Sequence, residues 1–167
     1  MKWHLLTSLT ASLLIASSAF AGKAHQHGAA ELFIAPFENR LSFSLQSAAD
    51  NILGFEHAPK NEKQRATKDQ ADEALKTKAH EFFVLPEGAK CQWKVDRFDD
   101  GSSRKDQRGH SDYLVQWTAE CDKPLTGNIQ ILLGKKFSRI HKLNVSVLQD
   151  KTQHSVTLKN ALGDVRL

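Results

Sequence analysis

The sequence predicts an α+β fold, an antiparallel β-sheet packed against one long α-helix, arranged as a single domain with one disulfide. Three observations point to it. Several short segments alternate apolar and polar residues, as strands with one buried face do. One stretch, from Asn61 to Phe83, instead repeats its apolar residues at three- and four-residue steps. Two cysteines, Cys91 and Cys121, stand at the start of one alternating segment and the end of the next, where antiparallel neighbours lie side by side. A length of 167 residues suits one domain.

Residues 1–21 read as a secretory signal peptide. Lys2 supplies the positive start, Leu5 to Ile15 is uncharged and largely apolar, and Ala19-Phe20-Ala21 fits the small-x-small cleavage rule. The predicted cut precedes Gly22 and leaves residues 22–167 as the mature domain. The leader is short for a bilayer span, and no later run is long and apolar enough for one, so no membrane insertion is expected after signal removal. Export makes oxidising chemistry available. An even pair of cysteines without a Cys-x-x-Cys spacing then favours a disulfide over a thiolate metal site. Closing that loop stabilises the fold by roughly 3–4 kcal/mol.

In the mature chain, Ala30 to Ala35 and Arg40 to Gln46 read as strands joined by a hairpin turn, Pro36-Phe37-Glu38-Asn39. A small-residue stretch follows, ending in Gly54-Phe55-Glu56-His57-Ala58-Pro59. The helix comes next: Asn61 is its N-cap with Gln64 at the third helical position, Ala71, Ala74, Leu75, Ala79, Phe82 and Phe83 form its stripe, and Pro86 and Gly88 end it. Lys90 to Phe98 and Ser111 to Cys121 are strands joined by a charged loop. Leu125 to Phe137 fits helical spacing slightly better than strand alternation. Lys142 to Gln149 and His154 to Lys159 are two further strands.

The net charge of +4, from 23 basic against 19 acidic residues, is small and dispersed, so nucleic acid is not the partner. No His-Glu-x-x-His, Gly-x-Ser-x-Gly, phosphate-loop or dinucleotide pattern is present, and the expectation is that the protein is not an enzyme. The eight histidines are the unusual feature. His25 and His27, two apart, face one side of an extended chain and could offer two imidazoles to one ion; a pair of solvated tail histidines is the plainer alternative. For His57 a ligand role and a structural hydrogen-bonding role fit the pattern equally. Glu56 is a carboxylate ligand or a solvated charge. His110 and Asp112 either ligate together or stand as ligand and orienting partner, against the bland option of a loop-end histidine. His80, His141 and His154 read as boundary or surface residues.

Taken in order, the leader, His25-Gln26-His27-Gly28, Asn51-Ile52-Leu53-Gly54-Phe55-Glu56-His57-Ala58, Phe82-Phe83-Val84-Leu85-Pro86, Cys91, His110-Ser111-Asp112-Tyr113 and Cys121 form a set. That set resembles the ZrgA-like zinc-regulated periplasmic protein family of Gram-negative bacteria, over nearly all of the mature chain. The resemblance implies a periplasmic zinc-binding accessory protein that captures or buffers Zn²⁺ and supports zinc ABC import under scarcity, with the transporter's solute-binding protein as partner. It implies His25, His27, His57 and His110 as zinc ligands, with Asp112 and Glu56 in support. One departure stands out. Family members often carry a His- and Asp-rich loop between the cysteines, whereas Asp99 to Arg108 here contains no histidine, which points to one compact site. Two rival functions are an envelope interaction module with incidental histidines and, with Glu56 as general base, a zinc hydrolase.

Overall fold

A computed structural model describes residues 26–102, 111–149 and 152–167. These form strands β1 (Ala29–Phe37), β2 (Arg40–Ala48), β3 (Phe83–Val84), β4 (Cys91–Asp99), β5 (Asp112–Cys121), β6 (Asn128–Ile131), β7 (Lys142–Gln149), β8 (Thr152–Lys159) and β9 (Gly163–Arg166). Between them lie helices α1 (Ala49–Leu53), α2 (Glu62–Thr77), α3 (Ala79–Phe82) and α4 (Leu133–Lys136). The expected signal peptide, residues 1–21, lies outside the described residues. No helix among the described residues is long and apolar enough to cross a membrane.

The predicted α+β architecture, an antiparallel sheet under one long helix, does not form. The protein is mostly β, with two sheets and only short helices. The larger sheet has the order β4-β5-β2-β1-β7-β8, and the smaller β3-β6-β9. Nor is the larger sheet wholly antiparallel, because β1 and β7 run parallel at its centre.

The apolar stripe misled because it is shared among three elements. It begins as helix: the Asn61 side chain accepts from the Gln64 amide at 2.9 Å, and the Gln64 side chain accepts in return from the Lys60 amide at 2.8 Å. Ala71, Ala74 and Leu75 are its buried residues, but it stops at Thr77. Phe82 and Phe83, adjacent in sequence and both buried, then take different environments. Consecutive side chains leave an extended backbone on opposite sides. Phe83, at φ −130° and ψ 101°, opens β3 and stacks on Phe43 with ring centres 4.4 Å apart. Phe82 meets Phe137, at 5.6 Å.

The segment from Leu125 to Phe137 is also corrected. Ile129 and Ile131 are buried while Asn128 and Gln130 are exposed, so strand β6 forms there, and only the single turn α4 is helical. With β9, which was not foreseen, β6 completes the small sheet. Its Ile129, Ile131 and Val165 join the same buried cluster as the large sheet's inner face. The hairpin turn is narrower than expected: Pro36 and Phe37 belong to β1 and pair with Leu41 and Arg40, leaving Glu38 and Asn39 to turn.

The alternation of the main strands holds. Leu32 and Ile34, Leu41, Phe43 and Leu45, Tyr113, Val115, Trp117 and Ala119, and Leu143, Val145 and Val147 all point inward and are buried. Each large side chain so buried stabilises the fold by about 1.5–3 kcal/mol relative to exposure. The expected bridge is present: Cys91 and Cys121 are direct cross-strand partners and are disulfide-bonded. Two polar groups tie α2 to β5, the Trp117 indole donating to the Leu75 carbonyl at 2.7 Å and the Tyr113 hydroxyl to Asp72 Oδ1 at 2.7 Å.

Candidate metal centre

Three segments distant in sequence meet at one end of the large sheet. The first is the turn His27-Gly28, which enters β1. The second is α1 with the residues after it, Gly54 to His57. The third is Ser111-Asp112, where β5 begins. Hydrogen bonds hold them together: the Ala49 amide donates to the Ser111 carbonyl at 2.9 Å, and the Gly28 amide to Asn51 Oδ1 at 2.6 Å. The Ser111 hydroxyl also reaches the Glu56 carbonyl at 3.3 Å.

At this convergence His27 Nε2 lies 3.0 Å from Glu56 Oε1. The His27 side chain is largely exposed and that of Glu56 largely covered. A carboxylate only accepts hydrogen bonds, so across this contact Nε2–H donates to Glu56. Next to Glu56, the His57 Nδ1 lies 2.9 Å from the Ala58 carbonyl oxygen. A carbonyl also only accepts, so Nδ1–H donates and the lone pair of neutral His57 sits on Nε2. The Phe55 ring stacks on the His57 ring at 5.3 Å and restricts its orientation. Asp112 is half-buried in the first position of β5. His25 and His110 lie outside the described residues. Among the described residues, no three His, Cys, Asp or Glu side chains come close enough to hold a metal ion together.

Residues 24–167 match the family described as ZrgA family zinc uptake protein. The chain belongs to the ZrgA family. The resemblance read from the order of its motifs is thereby borne out, and membership gives the chain a zinc-related role. No curated protein matches it. Of the side chains at this convergence, imidazole and carboxylate are both types that bind Zn²⁺, at about 2.0–2.2 Å. Two further histidines lie at different places, His141 at the same turn and His154 away from it. His141 packs beside Gly28, and His154 Nε2 lies 3.0 Å from the Arg166 carbonyl oxygen.

A second charged group, centred on Lys68, has a different character. Lys68 contacts Asp72 at 2.5 Å and Asp100 at 2.6 Å. Burial pulls the Lys68 pKa down, but the hydrogen bonds and charges of Asp100 and Asp72 outweigh it and hold the ammonium above its ordinary range. Burial pushes Asp100 up, yet Lys68 together with the Ser102 hydroxyl and amide holds its carboxyl down at about 2. Burial, and then the Asp72 carboxylate that accepts its proton, push the Tyr113 phenol well above its usual value. The lysine already compensates these carboxylates, so they act as a brace for the chain entering the β4–β5 loop. Gly101 fits that entry because a Cβ there would lie 2.5 Å from the Asp112 carbonyl oxygen.

Two supporting residues were not singled out in the sequence. Arg139 Nη2 donates to both carboxylate oxygens of Asp50, at 3.0 and 2.8 Å, while its Nε donates to the Asp50 carbonyl at 2.9 Å. Asn51 is buried and bonds the backbone of the His27 turn. Asn51 carried a signal: it is a polar residue in a run of small and apolar ones just after a strand. Arg139 carried none, because its partner is 89 residues away.

Proposed function

We propose that the protein captures Zn²⁺ in the periplasm and supports zinc ABC import when the ion is scarce, passing it to the transporter's solute-binding protein. On this reading residues 1–21 are the cleaved signal, residues 22–167 are the working domain, and the role is binding and transfer rather than catalysis. The contact between His27 and Glu56 carries the reading: two residues 29 positions apart hold an imidazole and a carboxylate together at 3.0 Å, in a chain of a zinc uptake family.

Each residue has a part. His27 offers Nδ1 to the ion while Glu56 accepts its Nε2–H, the orienting arrangement common behind metal-bound histidines. His57 offers Nε2, its tautomer set by Ala58. His25 and His110, neighbours in sequence of the His27 turn and of Ser111, supply further imidazoles, and Asp112 supports them. A site whose ligands come from separate segments suits an ion that must be released again.

The ligands must be deprotonated to bind, and unperturbed imidazole titrates near pH 6.5, so protons compete with zinc. Calorimetric titration of the purified protein is expected to show tight zinc binding at about pH 7.5 and affinity at least tenfold weaker at about pH 5.5. No binding at the higher pH, or equal affinity at both, overturns the reading.

A further inference from the structure

We infer that Asn51 is a positioning residue for the zinc site, one that fixes the approach of His27 to Glu56 through the backbone rather than by touching the ion. The inference rests on the zinc reading above and extends it to a residue that bears no metal-ligand chemistry of its own.

The Asn51 side chain is 1% exposed and uses its carboxamide in three directions. Its Oδ1 accepts from the Gly28 amide at 2.6 Å. Its Nδ2 donates to the Ala29 carbonyl at 2.8 Å and to the Ser47 hydroxyl at 3.2 Å. Two consecutive residues of the chain just after His27 are therefore held by one side chain. The turn they form needs glycine: Gly28 has φ +79°, and a Cβ there would lie 3.1 Å from the His141 ring. On its other side, the short helix that carries Asn51 leads through Gly54 directly to Glu56. That helix is braced by Arg139, which grips both the carboxylate and the carbonyl of Asp50.

One carboxamide thus fixes the backbone that presents the imidazole relative to the segment that presents the carboxylate. Without it, nothing among these bonds relates the His27 turn to α1 directly. A buried asparagine with no apolar contribution to make is costly unless its hydrogen bonds are met, and here they are met by the turn that carries His27.

Asn51→Asp and Asn51→Ala test this. The first is isosteric and keeps an acceptor for the Gly28 amide while placing an oxygen against the Ala29 carbonyl; the second removes the clamp. Affinity is read by competition with a chromogenic zinc chelator, geometry by the visible spectrum of the Co²⁺-loaded protein, and folding by thermal unfolding without metal. Both variants are expected to unfold cooperatively, bind zinc about tenfold more weakly, and give an altered Co²⁺ spectrum. Adding His27→Ala to Asn51→Asp is expected to cost much less than it does alone, since the two act through one ligand. Trp117→Phe, which removes the indole bond to Leu75 at the centre of the inner face and so weakens the fold away from the clamp, is expected to leave affinity and spectrum unchanged.

Wild-type affinity and spectrum in the folded Asn51 variants overturn the inference while leaving the zinc reading intact. So does a loss matched by Trp117→Phe. If both Asn51 variants fail to fold, Gly28→Ala decides in their place, with the same loss supporting the inference and unchanged binding overturning it. If the wild-type protein does not bind zinc, or His27→Ala binds as well as wild type, the zinc reading itself fails and this inference with it.

Discussion

The inner face of the large sheet and the rim that carries His27 are held by different forces. Around Trp117 the stabilising term is apolar contact: Phe83 lies edge-on to Trp117 at 5.5 Å, stacks on Phe43 and Trp93, and all but Trp93 are buried. Burial of this kind is non-directional and does not vary with pH. Around His27 the contacts include directed hydrogen bonds, Gly28 to the buried Asn51 and His27 to Glu56, and the His27 side chain is largely exposed. Such bonds add little net stability each but fix geometry to a few tenths of an ångström. The comparison teaches that stability and function are separable here, and perturbing one region should leave the other's property largely intact.

The hardest test of that separation is Trp117→Ala. Loss of a fully buried indole and its bond to Leu75 is expected to lower stability by about 3–5 kcal/mol in denaturant unfolding, with zinc affinity of the folded protein unchanged. Close behind comes removal of the bridge. Replacing Cys91 and Cys121 together with alanine is expected to cost about 3–4 kcal/mol; a loss under about 1 kcal/mol argues that β4 and β5 are held by pairing alone.

Tyr113→Phe sits between the regions. Taking its hydroxyl from Asp72 is expected to cost about 1–2 kcal/mol. The sign with pH follows from its raised pKa. The folded state favours the neutral phenol, so its contribution is fully present below about pH 10 and is lost as pH rises beyond it, a decline that Tyr113→Phe should lack. At the acid end, Asp100 is held at about 2, so its contribution is present above the ordinary carboxylate range near pH 4 and fades as pH falls towards 2. Asp100→Asn should flatten that limb of an acid-unfolding curve.

The smallest effect on stability and the sharpest on function belong to His27→Ala. With a largely exposed side chain, it is expected to change unfolding free energy by under about 0.5 kcal/mol while weakening zinc binding about tenfold or more. A large stability loss without loss of binding would reverse the comparison.

Much of the sheet was legible in advance. Phe43, Leu45, Val115, Trp117, Val145 and Val147 betray their strands by alternation, a property of each segment by itself. Cys91 and Cys121 announced both a bridge and the register of the strands that hold them. The helix over Asn61 was legible at its start, where capping is local, and misread at its end, where Phe83 leaves the stripe to pair with Ile131 across 48 residues. For the site, the motif order identified the family and named His27 and Glu56 as candidates. Their contact, the role of Asn51 and the brace of Arg139 on Asp50 were not visible, because each joins segments that periodicity treats as unrelated.

By itself, then, the chain determined which segments alternate, where α2 begins, which thiols pair and which family it belongs to. The first three follow from short-range spacing and composition, and the family from the resemblance its ordered motifs carry. Only the tertiary structure decided that a second sheet would form, that β1 and β7 would run parallel, and that the His27 turn would lie against Glu56. Those outcomes depend on which surfaces find one another once apolar faces are buried, and burial is settled by the whole chain at once.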